Sequence, residues 1–91
     1  MIVKISNYGD IEGNKFVEYI VSGLSQNQLE FLDGNLTEET LIDGNDLKII
    51  MYFDESLYPF QSDVAKLRID DFIAREEIEM NVCLSSFLDD M

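Results

Sequence analysis

Val3 and Ile5 alternate with Lys4 and Ser6, which predicts a first strand over residues 2–6 that Tyr8, Gly9 and Asp10 end. From Asn14 onward Phe16, Val17, Ile20, Val21 and Leu24 recur at helical spacing, predicting a helix with Asn14 as N-cap and Gly23 near its stop. Ser25 followed three places later by Gln28 has the form of a capping box, and Leu29 and Leu32 give a short second helix closed by Gly34. Residues 36–42 fit a helical turn or a strand equally well. Asp43-Gly44-Asn45-Asp46 is turn chemistry and Leu47 to Phe53 is rich in strand formers, so the region reads as a hairpin.

Beyond the hairpin, Tyr58, Pro59 and Phe60 predict an ordered loop packed by its aromatic rings. Ala65, Leu67 and Ile69 alternate as one further strand, and Ile78, Met80, Val82 and Leu84 as another, with one helical turn or a long loop over 70–76. Phe87 and Leu88 finish a short terminal segment. The elements predict one α+β domain over residues 1–91: a mostly antiparallel sheet with two helices, both in the N-terminal half, packed on one face. A chain of 91 residues has one core, and its modest size makes dimerisation a plausible support.

Composition narrows the chemistry. With 46% hydrophobic residues, six Phe and four Tyr, the chain has the material for a core. Nothing near the start has the form of an export signal, and the apolar run Ile49 to Phe53 is far short of the ~20 residues that span a bilayer. The expectation is a cytoplasmic protein without a membrane segment. Cys83 is the single cysteine, expected as a small core residue. With no histidine, the chain lacks the usual general base at neutral pH and the commonest transition-metal ligand. The five glycines are scattered singly and make no phosphate-cradling loop. Adjacent carboxylates such as Asp54-Glu55, Asp70-Asp71 and Asp89-Asp90 are poor chelators on extended backbone, where neighbours point to opposite faces. The expectation is no enzyme, no cofactor and no metal.

Charge is the outlying quantity. Nineteen Asp and Glu against six Lys and Arg leave a net −13, beyond the magnitude of about 2 to 8 that solubility asks of a small domain. The thin scatter of Lys and Arg forms no basic face, which argues against direct binding of nucleic acid. Acids recur in almost every turn: Glu38, Glu39, Asp43, Asp46, Asp54, Glu55, Asp70, Asp71, then Glu76, Glu77 and Glu79. If 78–84 is a strand, Glu77 and Glu79 stand about 6.7 Å apart on one face with Ile78 and Met80 on the other. A compact chain of this length has a radius of gyration of about 12 Å and a body roughly 30 Å across. Duplex DNA of that length carries about 18 charges, so the net charge is of the right order to compete for a phosphate-binding site.

On these acidic runs, set in an aromatic-rich and histidine-free frame, the chain resembles the small acidic DNA-mimic and anti-restriction proteins of phages. The resemblance implies that side-chain carboxylates stand in for phosphates in the DNA site of a host restriction endonuclease or nucleoid-associated protein. It would make the eleven acids above the partner-binding residues, and a basic DNA-binding protein or nuclease the partner. An alternative is an immunity-type inhibitor that binds one enzyme by shape, through Tyr8, Tyr52, Tyr58 and Phe60, with charge serving to speed encounter.

Overall fold

The computed structural model describes residues 1–12, 14–53 and 69–91. Four strands and two helices make up the described fold: β1 (Ile2–Ile11), β2 (Asn14–Ser22), α1 (Gln26–Asn35), β3 (Glu39–Asp43), β4 (Asp46–Phe53) and α2 (Ile69–Asp89). The strands form one antiparallel sheet in the order β1-β2-β4-β3. The helices pack on one face, so the fold is α+β as expected. One of those helices, however, is the last element of the chain and not an N-terminal one.

The helix expected from Asn14 is strand β2. Its apolar residues satisfy both periods, but they are mostly β-branched or aromatic, and β2 is paired on both sides, with β1 and with β4. Val17, Tyr19 and Val21 enter the core, while Glu18 and Ile20 face away. The first strand does not stop at Ser6 either. A bulge between Ile5 and Asn7 absorbs one residue, and pairing resumes through Tyr8, Gly9 and Asp10 to Ile11 opposite Asn14. In the hairpin loop Glu12 takes a left-handed φ of 51°. Phe16, on the sheet face away from the helices, lies across Gly9 of the neighbouring strand, where an added Cβ would stand 3.4 Å from its ring. It is buried there, outside the main core cluster.

Helix α1 starts as its sequence predicts. The Ser25 hydroxyl accepts from the Gln28 N–H at 3.2 Å, and the Ser25 N–H donates to Gln28 Oε1 at 2.9 Å. Residues 39–43 settle as a strand, and Asp43 opposes Asp46 across a two-residue turn in which Gly44 has a φ of +63°. Glycine at the first central position is what such a hairpin turn demands.

The alternating strand expected over 78–84, and the turn or loop expected over 70–76, are both part of α2. Ala74, Arg75, Glu76, Glu77 and Glu79 are good helix formers, and Met80, Leu84, Phe87 and Leu88 fall at i, i+4, i+7 and i+8 against the core. Leu84 is fully buried, whereas Ile78 and Val82 of the same alternation are 65% and 63% exposed. Cys83, expected in the core, is exposed on this helix. Ile69 opens the helix, while Ala65 and Leu67 of the expected strand and the Tyr58-Pro59-Phe60 loop lie outside the described residues. The core joins Val3, Val17, Tyr19, Val21, Leu47 and Ile49 of the sheet to Leu29 and Leu32 of α1 and Met80 and Leu84 of α2.

Candidate functional site: an acidic margin and the cleft behind it

Between Lys15 and Lys48 the chain contains no Lys or Arg. That interval folds into most of β2, then α1, β3 and the β3–β4 turn, so its acids other than Glu18 of β2 gather around edge strand β3. Helix α1 packs against β3 and β4, and Thr40 Oγ1 donates to Asp33 Oδ1 at 2.7 Å, tying the helix to the edge strand. Glu39 and Asp43 are exposed on β3; Asp46 faces Asp43 directly across the pair. Glu30 and Asp33, three apart on α1, are exposed on the other side of this edge, the side on which α1 packs and Thr40 reaches Asp33. These two were missed as site residues, although their helical spacing was readable. Apolar groups share the margin. Leu41, between Glu39 and Asp43, is 58% exposed, and Tyr52 of β4 is 53% exposed with its hydroxyl donating to Glu39 Oε2 at 2.9 Å. That bond to a carboxylate is the main cause holding the Tyr52 hydroxyl above the ordinary tyrosine range.

Other predicted acids are engaged inside the fold. Glu77 Oε2 accepts from the Ile5 backbone N–H at 2.7 Å, on edge strand β1 next to the bulge. Glu76 Oε2 accepts from the hydroxyl of Tyr19 at 3.3 Å. Burial pushes Glu76 above the usual carboxylate range, Glu79 beside it adds repulsion, and the Tyr19 bond and Arg75 pull the other way. Tyr19 is shifted upward too, first by burial and then by the charge of Glu76. Because 77–79 is helical, Glu77 and Glu79 do not form the evenly spaced acidic row of a strand. Asp70 and Asp71 belong to the first turn of α2, and Asp54 and Glu55 lie outside the described residues.

Behind the margin, between α2 and the α1–β3 junction, lies a cleft of about 180 Å³. Leu36, Ile49, Met51 and Met80 make its apolar lining. Glu38, Glu76 and Glu79 add carboxylates, and Cys83 stands at its edge. Among the described residues no three Asp, Glu, Cys or His side chains cluster tightly enough to hold a metal ion. Nor is any described helix long and apolar enough to cross a membrane. On the sheet face away from the helices Glu18 accepts from the Ser6 hydroxyl at 2.9 Å and lies 4.0 Å from Lys48 Nζ, a half-buried pair at the long limit of an ion pair.

Sheet, helices and acidic margin define a small two-layer α+β protein whose most distinctive surface is a carboxylate-lined edge. The chain belongs to DUF5750, a family of unknown function whose model matches residues 2–90. No curated protein matches it.

Proposed function

We propose that this chain is a non-enzymatic, cytoplasmic binding protein that occupies the DNA-binding surface of a basic partner, a DNA-binding protein or nuclease, with carboxylates standing in for phosphates. The acidic β3 margin is the observation that carries this reading. The described residues extend 42 × 26 × 22 Å with a radius of gyration of 13.7 Å, longer than the 30 Å body expected from chain length. Duplex DNA 42 Å long carries about 25 phosphates, roughly twice the net charge of −13, so an even coat of phosphate mimics is a poor description. The margin carries six carboxylates and a nearby cation, Lys48, which pairs with β3 opposite Leu41. Helix α1 is about 15 Å long, and over that span a duplex carries about nine phosphates against the six carboxylates of Glu30, Asp33, Glu38, Glu39, Asp43 and Asp46.

The test is a partner captured from lysate at low salt and challenged with duplex DNA. DNA should displace the protein, about 0.5 M salt should release it, and the combined variant Asp33→Asn, Glu39→Gln, Asp43→Asn, Asp46→Asn should not bind. A partner that still binds DNA while holding this chain contradicts the reading. Tyr52 and Leu41, exposed on the same margin, favour the second reading, an inhibitor that binds one enzyme by shape. In that case Tyr52→Ala or Leu41→Ala alone would cost more affinity than any single acid substitution.

A further inference from the structure

We propose that the cleft between α2 and the α1–β3 junction receives the side chain of a lysine or arginine presented by a partner protein. The proposal deepens the one above and rests on it for the source of that side chain.

The occupant follows from how the two kinds of lining group are arranged. Leu36, Ile49, Met51 and Met80 offer an apolar wall that a long aliphatic stem would cover. Two of the four are methionines, whose unbranched thioethers adapt to the shape of what enters. The cleft has room for several water-sized groups, enough for such a stem and its head. Glu38, Glu76 and Glu79 contribute negative charge from two sides, the first from the segment before β3 and the others from one face of α2. A bare metal ion gains nothing from the apolar wall, and a neutral apolar side chain would bury the carboxylates without compensation. A cation on an aliphatic stem satisfies both. It would also relieve the crowding of Glu76 and Glu79, whose mutual repulsion adds to the burial that pushes Glu76 upward.

Cys83 provides a reporter inside the unmodified chain, because it is exposed at the edge of the same cleft and is the single thiol. The probe is the capped peptide Gly-Arg-Gly, compared with Gly-citrulline-Gly, which has nearly the same shape and no charge. Saturating arginine peptide should slow the reaction of Cys83 with a thiol reagent about fivefold or more, and the citrulline peptide should leave it unchanged. Glu38→Gln combined with Glu79→Gln should weaken protection about tenfold while keeping Glu76 in place to hold Tyr19. Asp43→Asn with Asp46→Asn, outside the cleft, should leave protection intact. Equal protection by both peptides, no protection by either, or an equal loss in the Asp43 and Asp46 variant would each overturn the proposal. The broader reading fails separately: if a captured partner keeps its DNA while the arginine peptide still protects Cys83, the cleft stands and DNA mimicry does not.

Discussion

The two edges of the sheet use the same residue types for opposite ends. At the β3 edge, Glu39 and Asp43 point to solvent, Asp46 opposes Asp43, and the acids of α1 stand alongside. At the β1 edge, α2 lies against the strand and turns its carboxylates inward, Glu77 to the Ile5 N–H and Glu76 to Tyr19. The surface left there is largely apolar: Ile2, Ile78 and Val82 are exposed along a shallow groove. A count of acids cannot tell these edges apart. A carboxylate that accepts from a backbone donor contributes to stability, whereas one opposite another like charge costs it.

The largest test of this contrast concerns the side of α2 that grips the sheet. Leu84→Ala should destabilise the fold by about 2–5 kcal/mol, and Val82→Ala, two residues away, should stay within about 0.5 kcal/mol in denaturant unfolding. Similar losses at both positions would mean that the helix does not present the face described here.

A second experiment compares carboxylates at the two edges. Glu77→Ala removes the acceptor for Ile5 and should cost about 1 kcal/mol, below the about 1.5–3 kcal/mol of a buried bond to a charged group because the site is only partly buried. Asp46→Asn removes a directly opposed like charge and should instead stabilise by a few tenths of a kcal/mol, on the order expected for cross-strand pairs. Melting temperatures at low salt would display the opposite signs, and a loss at both sites would erase the distinction.

A pH dependence probes the buried end of the same contrast. The Tyr19 hydroxyl is held above its ordinary value, so folding favours its protonated form. Its contribution is complete below the unfolded-state pKa of about 10 and is lost as pH rises through that value toward the folded one. Wild-type stability should therefore fall more between about pH 9 and about pH 11 than that of Tyr19→Phe, which has no hydroxyl to ionise. The difference between the two slopes isolates Tyr19 from the lysines that titrate nearby; parallel slopes would show that its environment is not the one described.

Some of this protein was determined by local sequence. The capping box at Ser25 and Gln28 satisfies donors within one turn, Gly44 meets the backbone demand of its own hairpin, and the acid between Lys15 and Lys48 is a property of the chain itself. Such features need no distant partner. The interval 14–22 and the segment 78–84 did need one, because each has apolar residues compatible with both periods. β2 became a strand between β1 and β4, which pair with it from both sides, and α2 became a helix whose alternate apolar residues divide between core and solvent. The roles of Glu76, Glu77 and Glu79 were decided the same way. Their charge is written in the sequence, but which oxygen meets a buried hydroxyl, a strand-edge donor or an open cleft depends on packing between elements distant in the chain.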